Sequence, residues 1–412
     1  MFPFPKQILL RRRTIPVLIE KKGFFMKKII FVLMLSSIFS LNAEISDAAK
    51  KFIKGNIHDK TDAVKEAEGK DGAVLSARSI DFVLENAENF ENDRDFSALA
   101  LASVLKLPKD YSQKENDFPG ITEKLIKLFT DFNDETVRVA VAEKLEAVQN
   151  PQEKTQTVAL FNSYLKNLDE KSKKSAVTAQ IIKSLGKTGD SESFILVYEI
   201  WKLKQCASFT AEVEKSLLGL TSSHIREALN LVAGMSAGDI GDFFNLVKNS
   251  SEIRQEIKAE IAESVLSATI NNTEGNSETS VQTVLLQTDA LQLLAASAWT
   301  RGASLAVKYF LTAKDQFKNN FMSEDQFLKV ISCVTELSSP EAAPALSNYL
   351  AEMNSLAEKN SFAARNVVLA VINSLGALGD KTAFDNLLYV TYLNYPEEIK
   401  NAARSSLAKL KW

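Results

Sequence analysis

A short cassette that closes one helix and opens the next occurs more than once in this chain. It reads Ser-Leu-Gly-Lys-Thr-Gly-Asp at Ser184–Asp190 and Ser-Leu-Gly-Ala-Leu-Gly-Asp at Ser374–Asp380. A looser copy, Val-Ala-Gly-Met-Ser-Ala-Gly-Asp, runs from Val232 to Asp239. Internal repetition restricts a fold more than composition does. Each copy is one supersecondary unit that cannot bury its apolar face alone, so it must stack on its neighbours. The cassette supplies what a helix junction needs. Gly189 and Gly379 suit the left-handed conformation that closes a helix. Asp190 and Asp380 suit the cap of the following one. In the variant Ser338-Ser339-Pro340-Glu341, Ser339 takes the cap and Pro340 the first helical position.

Apolar residues between the junctions recur at helical spacing. In Thr136–Gln149 they are Val137, Ala140, Val141, Leu145 and Val148, with Lys144 the polar intruder. Asp134 precedes this run as a cap, and Glu135 adds favourable charge to the first turn. Ile399, Ala402, Ala403, Leu407 and Leu410 repeat the pattern, as do Ile372 with Leu375 and Ile182 with Leu185. The registers agree on a unit of about 35–41 residues. Small residues such as Ala140, Ala142, Ala402 and Ala403 allow close helix approach. Arg138, Arg365 and Lys400 share one register and are the candidate binding residues. The spacing lengthens between Asp242 and Ala303, where the polar tract Asn271–Ser280 reads as a surface excursion. Residues 44–117 are helical in pattern but outside the unit. They read as an irregular helical cap on the end of the array, with a separate small domain as the alternative.

Asp134-Glu135-Thr136-Val137-Arg138-Val139-Ala140-Val141-Ala142 resembles the D-x-x-V-R-x-A-A signature of the HEAT-like repeat family. These are the armadillo-type α-solenoids, including the variety found in phycobilisome-lyase-like proteins. Leu337–Leu346 and Leu375–Asp380 carry the same resemblance, which is clear over residues 118–205 and 300–412, looser over 206–299 and barely visible before 118. It implies an all-α fold, a right-handed α-solenoid of helix pairs over 118–412. It also implies that the Val-Arg helix lines an inner, concave surface. Along one register there, Arg138, Arg365 and Lys400 are read first as structural hydrogen-bonding links between units, and alternatively as a positive stripe for an acidic peptide. Ser175 occupies the Arg position of the second unit, so that ladder is interrupted.

Charge is unevenly placed. Eight of the 49 Lys and Arg residues and one of the 52 Asp and Glu residues lie in 1–43, so the remainder carries a net charge of −10. An acidic body argues against nucleic acid, which needs clustered cations to neutralise phosphate. Met26-Lys27-Lys28, the apolar run Ile29–Phe39 and Ser40-Leu41-Asn42-Ala43 form a secretory signal. Cleavage after Ala43 would leave a periplasmic or secreted mature chain with no transmembrane span. Translation starting at Met26 is the favoured reading; a long basic region ahead of the same signal is the alternative.

Chemistry-bearing motifs are sparse. Gly234-Met235-Ser236-Ala237-Gly238 matches a nucleophile elbow, but that motif requires a strand before it and a His after it. Both histidines, His58 and His224, precede Ser236. Gly186-Lys187-Thr188 lacks the first glycine of a phosphate loop. Asp93 and Asp95 lack the glycine of a calcium loop. Two His and two Cys, dispersed, make no metal set. Cys206 and Cys333 lie too many units apart to bridge and are expected as free thiols. The aromatic C-terminus, with Phe384, Tyr389, Tyr392, Tyr395 and Trp412, reads as core between units. The expectation is an exported scaffold that binds a protein or peptide on its concave face, with no cofactor, metal or catalysis. The alternatives are a lyase- or hydrolase-like enzyme with a site in the groove, or a structural envelope component.

Overall fold

The computed structural model describes residues 46–90, 93–113, 118–275 and 280–411. The signal segment 1–43 and Trp412 lie outside the described residues. The protein is all-α: the described residues hold 20 α-helices and no strand. The first ten are α1 (Asp47–Lys54), α2 (Ile57–Glu66), α3 (Gly69–Asn86), α4 (Arg94–Lys106), α5 (Ile121–Asp131), α6 (Glu135–Glu146), α7 (Pro151–Lys166), α8 (Ala176–Thr188), α9 (Ser191–Lys202) and α10 (Thr210–Ser223). The others are α11 (Ile225–Gly234), α12 (Ala237–Asn249), α13 (Gln255–Gly275), α14 (Val281–Ala296), α15 (Ala303–Lys318), α16 (Glu324–Leu337), α17 (Ala342–Glu358), α18 (Arg365–Leu378), α19 (Phe384–Tyr392) and α20 (Glu397–Leu407).

The helix starts are written in the residues that precede them. Asp134 accepts from the amides of Thr136 and Val137 at the head of α6. Asn150 caps α7, whose first residue is Pro151. Asp190 caps α9 in a reciprocal box with Ser193, and Ser323 does the same for α16 with Gln326. Each such cap contributes about 1 kcal/mol. The two cassette glycines differ. Gly379 is left-handed, at φ 69°, and closes α18. Gly189 is extended, at φ −63° and ψ 167°, so the left-handed expectation fails there. Its extended backbone leads straight into the Asp190 box instead. Ser339 accepts from the amide of Glu341, but α17 begins only at Ala342, two residues past Pro340. The polar tract also departs from expectation, because α13 continues to Gly275. Residues 276–279 of that tract lie outside the described residues.

Packing follows the chain closely. The more extensive helix contacts join either consecutive helices or helices with one between them. Even-numbered helices pack on the next even one from α2 to α10 and again from α14 to α20. Odd-numbered helices do so from α3 to α9 and from α11 to α19. Helices α1–α4, in the segment expected to be irregular, pack in this manner too. Side-chain hydrogen bonds among the described residues reach at most 42 residues along the chain. Buried apolar side chains form one continuous core from Phe52 to Leu410. Burying each Val, Leu, Ile, Phe or Met contributes about 1.5–3 kcal/mol, so the core is spread along the molecule.

The even series is interrupted once. Neither α10 with α12 nor α12 with α14 packs extensively. Instead α12 leans on α13, and its Phe243 meets the rings of Tyr198 and Trp201 on α9.

Candidate functional site

The interruption leaves a cleft of about 680 Å³ between α10 and α12, lined also by the end of α9. Local sequence explains why α9 stops there. The amide of Gln205 donates to the carbonyl of Ile200, which closes the helix, and Lys204 sits at φ 51° in the closing position. Glycine normally fills that position; the same closure recurs with Asn320 and Asn360. The chain then turns through Cys206 and Ala207 into α10, which presents Val213, Glu214 and Leu218 to the cleft. Opposite, α12 presents Asp239, Asp242, Asn245 and Leu246.

The cleft mixes apolar walls with charge. Trp201 is half-buried and packs on Tyr198 at 5.9 Å and on Phe243 at 6.4 Å. Lys202 crosses to Asp239 at 2.7 Å, and Ser236, the cap of α12, donates to the same carboxylate oxygen at 2.9 Å. The Lys202 bond, followed by the Ser236 bond, holds the Asp239 carboxyl below its ordinary range, so this pair is ionised. Burial pushes the Tyr198 hydroxyl up, and that hydroxyl has no hydrogen-bond partner among the described residues. Burial likewise raises the Cys206 thiol. Glu214, half-buried, and Asp242, exposed, make no hydrogen bond or ion pair among the described residues. Two uncommitted carboxylates, one on α10 and one on α12, thus line the same cleft as Tyr198 and Trp201.

The three residues expected at a binding stripe have different surroundings. The guanidinium of Arg138 lies 4.7 Å from the Phe129 ring centre and 5.6 Å from that of Tyr164, and its Nε donates to the Phe129 carbonyl. It links α5, α6 and α7. Arg365 is exposed at the start of α18 and pairs with Glu398 of α20. Lys400 is half-buried on α20, two residues beyond that partner. Arg365 also borders a second cavity, of about 480 Å³, with Phe362 and Tyr395. Ser236 of the nucleophile-elbow match caps α12, and His224 approaches the Gly189 carbonyl at 3.0 Å. No group of acidic, His or Cys side chains that could hold a metal occurs among the described residues. No helix among them is long and apolar enough to cross a membrane.

Trp201, Glu214 and Asp242 carry no motif that sequence reasoning could single out. The one available signal was the looser repetition over 206–299, which contains much of the cleft lining. No model of a known protein family matches the chain, and neither does any curated protein.

Proposed function

We propose that the protein is an exported, HEAT-like α-solenoid that serves as a non-catalytic scaffold for a protein or peptide partner. The observation that carries this reading is the confinement of the more extensive packing to consecutive and next-but-one helices. Such arrays grow in one dimension and offer an extended surface relative to their volume. The cassette supports it independently. Gly186 of α8 meets Ser216 of α10, and Gly376 of α18 meets Ser406 of α20, so both copies make the same contact with the next even helix. Export rests on the segment from Met26 to Ala43.

Two measurements test the reading. Tagged full-length protein, expressed in its native host, is expected to retain a stoichiometric partner from the envelope fraction. N-terminal sequencing of the same material is expected to begin just after Ala43. A cytosolic chain that retains residues 1–43 would overturn the export half. Failure to retain any partner, together with turnover of a substrate, would replace the scaffold by an enzyme.

A further inference from the structure

We infer that the cleft between α10 and α12 is a binding site for a basic side chain, Lys or Arg, carried on an apolar stretch of a partner peptide. The inference deepens the scaffold reading and rests on it for the partner's being a peptide.

The cleft arises where two helices of the even series fail to pack. Binding clefts favour such junctions between packed bodies, because the walls are held from behind while the gap stays open. Here α9 holds one side through Tyr198 and Trp201, and α13 supports α12. The volume, about 680 Å³, accommodates several side chains.

Charge selects the occupant. Five ionisable side chains of Lys, Asp and Glu line the cleft. Lys202 and Asp239 neutralise each other. Glu214, Asp242 and Lys204 remain, so the uncommitted charge is net negative. Lys204 stands on the turn after α9, whereas the two carboxylates belong to α10 and α12, the helices that bound the cleft. Residues 44–412 as a whole carry a net −10, which attracts cations from a distance. A guanidinium or ammonium in the cleft would find charge-assisted hydrogen-bond acceptors in Glu214 and Asp242. Trp201 offers an aromatic surface to the same cation. Val213, Leu218 and Leu246 offer apolar contact to its stem and to flanking residues.

An acidic ligand fits poorly. It would meet both carboxylates, and Lys202 is already committed. This occupant differs from the acidic peptide implied for a stripe of Arg138, Arg365 and Lys400.

The test uses the full chain and two dye-labelled peptides that share a Leu-X-Leu core, with Arg or its neutral isostere citrulline at X. Fluorescence anisotropy should show the Arg peptide binding at least about tenfold tighter. Glu214→Gln with Asp242→Asn should abolish that preference while circular dichroism and the urea midpoint stay unchanged. A control pair outside the cleft, Glu256→Gln with Asp385→Asn, should preserve it. The site is overturned if the two peptides bind alike, if neither binds, if the cleft variant keeps the preference, or if the control pair loses it. The scaffold reading fails separately. An envelope partner held equally by wild type and the cleft variant removes this site and leaves the scaffold standing.

Discussion

A methyl group added at Gly186 would lie 2.7 Å from the Cα and Cβ of Ser216, and one at Gly376 2.7 Å from the Cβ of Ser406. Real side chains do not approach so closely, so α8 and α10, or α18 and α20, would have to separate. We expect Gly186→Ala and Gly376→Ala each to destabilise the protein by about 1–3 kcal/mol, the cost of overpacking. In α12 the same addition at Gly238 or Gly241 meets nothing within 4 Å. There Ala should instead stabilise, by about 0.4–1 kcal/mol, through the smaller conformational freedom of the unfolded chain. Denaturant titration of the four variants decides the matter, and a shift in the same direction for all four would contradict it. The cysteines offer a second check at this scale. Both are free and buried, and burial pushes the Cys333 thiol up to about 11. Since the thiolate is the reactive form, iodoacetamide at neutral pH should leave Cys333 unmodified in the native protein and alkylate it once urea has unfolded the chain. Rapid native alkylation of Cys333 would mean that α16 is not packed as described.

Junctions between helices are stabilised by more than their caps. Asp190 caps α9, and the buried side chain of Asn162 on α7 donates to the same carboxylate at 3.0 Å. Burial alone would raise the Asp190 pKa. Bonds from the Ser193 amide, Asn162 and the Ser193 hydroxyl outweigh it, so the pKa is lowered overall. The folded-state value therefore lies below the unfolded one. The contribution is complete above the unfolded value of about 4 and is lost as pH falls through the folded value. Asp190→Ala should cost about 1–2 kcal/mol at neutral pH, as loss of a cap does. Asp190→Asn should keep most of that stability and flatten its decline in acid; an unchanged acid profile would refute the assignment. Caps of this kind explain what the sequence made legible. Asp134 and Asp190 each announce a helix locally, within three residues, and each helix is there. The cleft was not legible for the converse reason. Val232–Asp239 reads as one more junction, and α12 is an amphipathic helix like others in the series. Whether α12 packs on α10 or on α9 depends on complementarity between side chains far apart in sequence, such as Phe243 with Tyr198 and Trp201 of α9, and periodicity does not record that. The Arg138 register was legible, but not the aromatic pair that takes up its guanidinium.

At the scale of the molecule, the α11–α12 segment is the point where the series of contacts is weakest. In an array whose parts contact only their neighbours, stability is close to a sum of local terms and interface terms. A segment with poor interfaces then opens at lower free energy than the segments beside it. Helices α11 and α12 do not pack extensively on each other, and α12 lacks extensive packing on both α10 and α14. Contacts that tie this segment back to α9 and the junction before it include single polar links: Ser191 to Glu227, Lys202 to Asp239, and His224 to the Gly189 carbonyl. The ring of Phe243 adds one apolar anchor. By contrast α8 packs densely on α10, and α13 on α14. Native-state hydrogen exchange should therefore show the amides of 225–249 exchanging faster than those of 176–223 and 281–296. Adding Ala at Gly238 and Gly241 together should slow exchange within α12 and leave the flanking segments unaltered, because those positions touch no other element. Equal protection along all three segments would show that the interruption is filled by cooperativity, and that the molecule opens as one body. Slower exchange at 225–249 on addition of the Leu-Arg-Leu peptide, absent with the citrulline peptide, would connect this weak segment to the cleft it borders. A ligand that binds across α10 and α12 supplies the interface that the chain itself leaves unmade.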